Sequence, residues 1–215
     1  MCLEANRQAL ISVARGDAVV PSRLMLPYKD SDWSLFKPAA TNSQMGMKVV
    51  SVRSGNPERG LPLVPATILH MDMETGIVDA VVAGTYLTAA RTSCGSALAV
   101  QKFCKSLNRL VLFGAGLQAQ QHVLAIRTAL SLDKIPYITI VNRSATRAEE
   151  LKHELLERGW VEECHIALLS HSSRIAEAVR RADVISTCTN STTPLWDDAI
   201  SLQTSCVITG IGSYT

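Results

Sequence analysis

The chain has 215 residues, 47% hydrophobic and 19% charged, which is enough apolar material for one large or two small cores. Its formal net charge of +2 is scattered rather than gathered into a basic stripe, so nucleic acid is not an expected partner. No stretch is apolar enough to cross a bilayer, so a membrane partner is not expected either.

The opening Met1-Cys2-Leu3-Glu4-Ala5-Asn6-Arg7 lacks a basic segment followed by an apolar one, and a cytoplasmic location is expected. Two N-x-S/T sequences, at Asn142 and Asn190, are then chance matches. The six cysteines contain no C-x-x-C pair, several fall in apolar segments, and they read as reduced thiols. The five histidines show no ligand spacing, so no metal site is expected.

In chain order, Met47 to Val52 and Ala66 to Met71 read as strands separated by the turn-rich Ser54 to Gly60. The turn from Asp72 to Gly76 leads to a third strand, Ile77 to Val82, and such short turns favour an antiparallel sheet. After Gly84 the period becomes helical, with Leu87, Ala90, Cys94, Ala97 and Leu98 on one face and an end near Leu107.

From Leu110 the chain alternates strand and helix. Strand Leu110 to Phe113 precedes a helix with Ala119, Val123, Ile126 and Leu130 on one face, and strand Tyr137 to Val141 follows. Next comes a helix that Ser144 caps and Gly159 ends, with Ala148, Leu151 and Leu155 inward. A strand near Cys164 to Leu168, a helix with Ile175, Ala178, Val179 and Ala182 aligned, and strands Val184 to Thr187 and Cys206 to Ile211 complete the pattern. The expected fold is α/β, with a doubly wound parallel Rossmann-type sheet in residues 106–215 and an N-terminal α+β domain in residues 1–105.

Gly114-Ala115-Gly116-Leu117-Gln118-Ala119 follows strand Leu110-Val111-Leu112-Phe113 at once, giving G-x-G-x-x-A between a strand and a helix. Gly114 permits the tight turn, Gly116 lets backbone approach a pyrophosphate, and Ala119 lets helix and strand pack closely. The helix N-terminus offers unpaired N–H donors to the phosphates. The alternative is a glycine turn with nothing bound.

The second strand of a dinucleotide fold that takes NAD ends in an acid for the ribose 2′-hydroxyl. Here it ends Val141-Asn142-Arg143-Ser144, with Arg147 one turn further. Arginine and serine there suit a 2′-phosphate, so NADP(H) is favoured and NAD(H) is the alternative cofactor. The bland reading has Arg143 and Arg147 solvating a helix start, where cations are slightly unfavourable.

The run Asp79-Ala80-Val81-Val82-Ala83-Gly84-Thr85-Tyr86-Leu87-Thr88-Ala89-Ala90-Arg91-Thr92-Ser93, followed by the glycine loop, resembles the ornithine cyclodeaminase/mu-crystallin family. Further matches are Pro21-Ser22-Arg23-Leu24, Gly46-Met47-Lys48-Val49-Val50-Ser51-Val52, Asn56-Pro57-Glu58-Arg59-Gly60-Leu61-Pro62 and Asp72-Met73-Glu74-Thr75-Gly76. They occur in the family's order and cover nearly the whole chain. The resemblance implies a homodimer, an N-terminal domain for substrate and dimerisation, and chemistry at a carbon–nitrogen bond beside a carboxylate. By it, Arg23 and Arg91 hold the carboxylate of a small amino-acid-derived substrate, Lys48 sits by the reacting carbon, and Thr92 lies near the cofactor phosphates at the start of its helix. Each also has a bland reading: surface or interface ion pairs for the arginines, a strand-end lysine, a helix-face hydroxyl.

The chain departs from the family in three places. Cyclodeaminases of the family place an aspartate where Tyr214 stands, which disfavours cyclodeamination, and Ala83 replaces an acid common before Gly84. Family members also begin earlier and continue well beyond Thr215, so both domains are expected to be incomplete. The expected activity is NADP(H)-dependent reduction of amino-acid imines, in the manner of ketimine reductases. The alternatives are an NAD-dependent amino-acid dehydrogenase, a cyclodeaminase-like lyase, or a non-catalytic nucleotide-binding remnant.

Overall fold

A computed structural model describes residues 2–29, 32–197 and 199–211. It falls into two compact units, residues 3–89 and the residues from Ala90 onward, dividing earlier than the joint expected at 105/106.

The first unit begins with helix α1 (Cys2–Arg15), none of whose residues is buried. Strands β1 (Ala18–Val19), β2 (Leu24–Pro27), β3 (Trp33–Thr41), β4 (Met45–Val52), β5 (Ala66–Met71) and β6 (Val78–Ala83) form one sheet. All its pairings are antiparallel, in the order β1-β3-β4-β5-β6, with β2 also paired to β3. Local sequence pattern marks only the last three of these strands. Pro38 interrupts the pattern of β3, because a proline inside an apolar run argues against a strand. The sheet tolerates it because β2 pairs with residues 33–36 and β1 with 40–41, so around Pro38 only β4 is hydrogen-bonded to β3.

Register decides which side chains share a face. Leu35, Val50 and Ala66 lie opposite one another across β3, β4 and β5, are all buried, and form a small core joined by Trp33 and Val64. The next row on the same face is Lys37, Lys48 and Ile68.

Helix α2 (Thr85–Phe103) contains the division between the units and ends four residues before the expected Leu107. Its buried positions are Thr88, Ala89, Ser93, Cys94, Ala97 and Val100, so the inward face is rotated from the expected one and Leu87 is exposed.

The second unit alternates β7 (Arg109–Phe113), α3 (Leu117–Ala129), β8 (Ile135–Asn142), α4 (Ala145–Glu157), β9 (Val161–Leu168), α5 (Ser172–Arg180), β10 (Val184–Thr187) and β11 (Val207–Gly210). The strands are parallel, in the order β11-β10-β7-β8-β9. The chain runs outward from β7 to β9 and then returns across the sheet to β10. Right-handed crossovers therefore put α3 and α4 on one face and α5 on the other, the doubly wound arrangement.

Burial follows the pleat. Val111, Phe113, Val141, Ala167 and Ile185 pack with Ile175 and Val179 of α5 on one face. Leu110, Leu112, Ile138 and Ile140 point to the other and are wholly buried. Each such side chain contributes about 1.5–3 kcal/mol of transfer free energy. Helix α4 starts as its sequence requires: Ser144 is the N-cap and its hydroxyl accepts from the Arg147 N–H. Gly159, in the left-handed region at φ 64°, follows its last turn.

All six cysteines are free. Burial pushes the thiols of Cys164 and Cys188 up to about 12 and that of Cys206 to about 11, which leaves them protonated and unreactive at neutral pH.

Candidate functional site

In the second unit the sheet reverses direction between β7 and β10, and a crevice opens outside the carboxyl ends of such strands. The glycine loop leaves β7 at this point. Gly114 donates its N–H to the Val141 carbonyl at 2.8 Å, and the Cys188 N–H donates to the Phe113 carbonyl at 2.7 Å. Gly114 has φ 105°, and a Cβ there would stand 2.7 Å from the Cys188 carbonyl oxygen. The fold itself therefore requires this glycine.

Gly116 differs. It is the N-cap of α3 in an extended conformation, no side chain caps the helix, and a Cβ on it would meet nothing within 4 Å. The fold places no demand for glycine there, and an uncapped helix end with open space before it is a cradle for an anion. Within the first turn, the Gln118 Oε1 is buried without a hydrogen-bond partner among the described residues. Ala115 and Leu117 flank Gly116, Leu117 being exposed, and Ala119 is wholly buried against the sheet. These residues fit a dinucleotide pyrophosphate.

The end of β8 lies beside this loop, since β7 and β8 are paired up to Phe113 and Val141. Asn142 turns its amide onto the Ser144 carbonyl at 2.9 Å. Arg143 and Arg147 are exposed, and neither side chain has an ion-pair or hydrogen-bond partner among the described residues. Behind the loop His122 is wholly buried, its Nδ1 2.7 Å from the Gln118 carbonyl and its Nε2 3.0 Å from the Ser96 hydroxyl. The histidine ties α3 to α2, and burial lowers its pKa from the ordinary 6.5.

A separate cavity of about 380 Å³ lies between α5 and the sheet, lined by Arg109, Tyr137, His165 and Arg174 among others. It lies on the α5 face of the sheet, lined by the start of β7, the middle of β8 and residues 165–167 of β9, and no residue of the glycine loop lines it.

In the first unit Lys48 lies mid-strand on β4, and its ammonium donates to the Thr88 hydroxyl at 3.4 Å. Thr88 is buried in the first turn of α2, and its N–H donates to the Gly84 carbonyl at 2.7 Å. Nothing in the sequence marks Thr88, because one threonine in a helical run carries no signal of what faces it. Arg23 lies in the exposed loop between β1 and β2. With Val20, Pro21, Ser22, Lys37 and Pro38 it lines a cavity of about 450 Å³. Lys37 also faces Lys48 across the strand pair, so the fold gathers Arg23, Lys37 and Lys48 in one region.

Arg91 and Thr92 lie on the part of α2 that belongs to the second unit. Thr92 falls two turns into α2 rather than at its start. Arg91 is exposed at its outer surface. Desolvation by partial burial lowers its guanidinium pKa from the ordinary value. Tyr214 lies outside the described residues. Among the described residues no group of His, Cys, Asp and Glu side chains could hold a metal ion, and no helix is long and apolar enough to cross a membrane.

A model of the ornithine cyclodeaminase/mu-crystallin family matches residues 1–212. The chain belongs to that family. An uncharacterized cyclodeaminase of Dictyostelium discoideum is 31% identical over 91% of this chain and 60% of its own length. Delta(1)-pyrroline-2-carboxylate reductase 1 of Burkholderia multivorans is 30% identical over 94% of this chain and 61% of its own. The chain thus spans about three fifths of the curated relatives it matches.

Among solved structures, the Thermococcus litoralis Delta(1)-pyrroline-2-carboxylate reductase, in complex with NADH and L-proline, has a TM-score of 0.88 at 24% identity. It matches over 98% of this chain and 64% of its own. At that identity the likeness shows the fold: this chain has the family's two-part architecture, with the glycine loop on its parallel sheet.

Proposed function

We propose that this chain is an NADP(H)-dependent reductase that transfers hydride to a C=N bond beside a carboxylate, in imines of small amino acids. The observation that carries the reading is the glycine crevice, where Gly114 is needed by the fold and Gly116 is needed by nothing in it. Gly114 to Ala119 would hold the pyrophosphate, with Thr92 as a further phosphate contact. Reduced nicotinamide, when bound, supplies the hydride.

The remaining chemistry falls to this chain's own side chains. Arg23 and Arg91 bind the substrate carboxylate, for which the planar guanidinium fork is shaped. Lys48, held by Thr88, orients the imine and gives a proton to its nitrogen as the carbon is reduced. The choice of NADP(H) rests on Asn142, Arg143, Ser144 and Arg147. A strand end without a carboxylate and with two exposed guanidiniums suits a 2′-phosphate. The Thermococcus relative was solved with NADH, which makes NADH the competing cofactor.

The experiment is reduction of cyclic and linear ketimine acids, Delta(1)-pyrroline-2-carboxylate among them, by purified protein with NADPH or NADH. Turnover that is lost in Lys48→Ala supports the reading. NADPH-dependent thermal stabilisation with no turnover on any substrate overturns it in favour of a nucleotide-binding protein. Assembly as a homodimer accords with edge strand β6, whose Val78, Val81 and Val82 are exposed. A monomer in sedimentation at micromolar concentration would exclude it.

A further inference from the structure

We infer that the cavity between α5 and the parallel sheet binds a phosphate dianion, free or carried as the monoester of a small organic molecule. The cavity lies wholly within the second unit and no residue of the glycine loop lines it, so it can be filled together with the crevice at that loop. The strand pleat makes its floor. Tyr137 and Thr139 alternate with the buried Ile138 and Ile140 and so face α5, with Val111 and His165 paired to either side of Thr139. Thr139 is only 6% exposed, yet its hydroxyl has no hydrogen-bond partner among the described residues. A hydroxyl so deeply buried ordinarily has one, and the space open to it is the cavity that Thr139 lines.

The charges on the walls are unequal. Three arginines line the cavity against one carboxylate, Glu177, which pairs with Arg181 at 3.2 Å. The guanidiniums of Arg109 and Arg174 are left with no ion-pair partner among the described residues. Glu163, paired across from Tyr137, is engaged by His165 at 3.5 Å and does not line the cavity. Arg109 is held in place, its guanidinium 4.5 Å from the centroid of the Tyr137 ring, on which His165 in turn stacks at 4.6 Å. A guanidinium laid on a ring keeps its in-plane N–H edge for an anion. Arg174 stands in the first turn of α5, where the helix dipole opposes a cation and favours an anion beside it. A carboxylate answers one of the two unpaired charges. A phosphate monoester, at about −1.5 to −2 near neutral pH, answers both, and its oxygens accept from two planar forks and from the Thr139 hydroxyl. The volume of about 380 Å³ exceeds the needs of the ion alone and falls within the range of about 300–1,000 Å³ usual for small-molecule sites, which leaves room for an organic body.

Calorimetric titration of the whole chain with sodium phosphate and with glycerol 3-phosphate, with and without NADPH, tests the inference, with acetate and glycerol as controls. At least one of the two phosphates should bind about tenfold or more tighter than either control, and equally with and without NADPH. Tighter binding of the monoester names an organic phosphate as the ligand, and equal binding names the phosphate ion. Arg174→Gln should weaken binding about tenfold or more, the scale of one charge-assisted hydrogen bond. Thr139→Val should weaken it about threefold or more without lowering the thermal midpoint of the phosphate-free protein, since the hydroxyl it removes has no partner there. Failure of both phosphates to bind, or equal affinity in the native protein and Arg174→Gln, overturns the inference. Binding that NADPH abolishes overturns it too, because the phosphate then occupies the glycine crevice. Arg174 is exposed and its substitution should leave the fold intact, which circular dichroism checks.

Discussion

A Cβ on Gly114 would stand 2.7 Å from the carbonyl oxygen of Cys188, the residue that follows β10. The first strand of the dinucleotide fold and the strand across its switch point therefore touch through a glycine that no other residue can replace without movement. Gly116, two residues on, meets nothing.

That contrast separates a folding glycine from a binding glycine. Gly114→Ala should destabilise the protein by about 2 kcal/mol or more, since it adds a contact to a left-handed backbone. Gly116→Ala should leave the thermal midpoint of the ligand-free protein unchanged and weaken NADPH binding about tenfold or more. Denaturation and NADPH titration of both variants would check this, and equal thermal loss in the two would refute it.

Cofactor choice should turn on the end of β8. Arg143→Asp should raise the KM for NADPH about tenfold or more, the loss of one charge-assisted hydrogen bond, and improve the use of NADH through its free 2′-hydroxyl. Steady-state kinetics with both cofactors is the measurement. A native preference for NADH would refute the assignment to NADP(H).

His122 should make stability depend on pH. Its folded pKa lies below the unfolded 6.5, so between the two values the unfolded chain holds more protons. The stability it contributes is present above about pH 6.5 and is lost as pH falls toward the folded pKa. The slope reaches at most about 1.4 kcal/mol per pH unit. Urea denaturation between pH 5 and 7.5 should show that slope in the native protein and its loss in His122→Gln. The variant should be about 1–3 kcal/mol less stable at neutral pH, because a buried partner is left unpaired.

Thr88 should act as a positioning residue for Lys48. Thr88→Val keeps the shape and removes the hydroxyl that accepts from the ammonium 3.4 Å away. The expected result is a lower kcat and a shifted alkaline limb of the kcat pH profile, with Thr88→Ser restoring both. An unchanged pH profile would assign Thr88 to packing alone.

Local pattern made most of the parallel sheet legible. The inward faces of α3 and α4 are the ones the helical period marks, with Ala119, Val123 and Ile126 wholly buried on one and Ala148, Leu151 and Leu155 on the other. The first unit was harder to read. β2 is exposed along its length, so burial imposes no alternation on it, and β3 carries Pro38 in a gap that exists only because β1 and β2 flank it. The candidate site divided the same way: the glycine loop announces itself, whereas Lys37 and Thr88 have no pattern of their own.

What the sequence determined by itself is the strand–glycine–helix unit at Gly114 to Ala119, the basic strand end at Arg143, and the period of each helix. Each depends on neighbours within a few residues, which backbone geometry relates directly. Tertiary structure alone decided that Lys37 faces Lys48, that Thr88 meets the Lys48 ammonium, and that Gly114 lies against Cys188. Those are contacts between distant segments, set by strand register and crossover direction. A register is chosen by the core it buries rather than by the residues it happens to bring together.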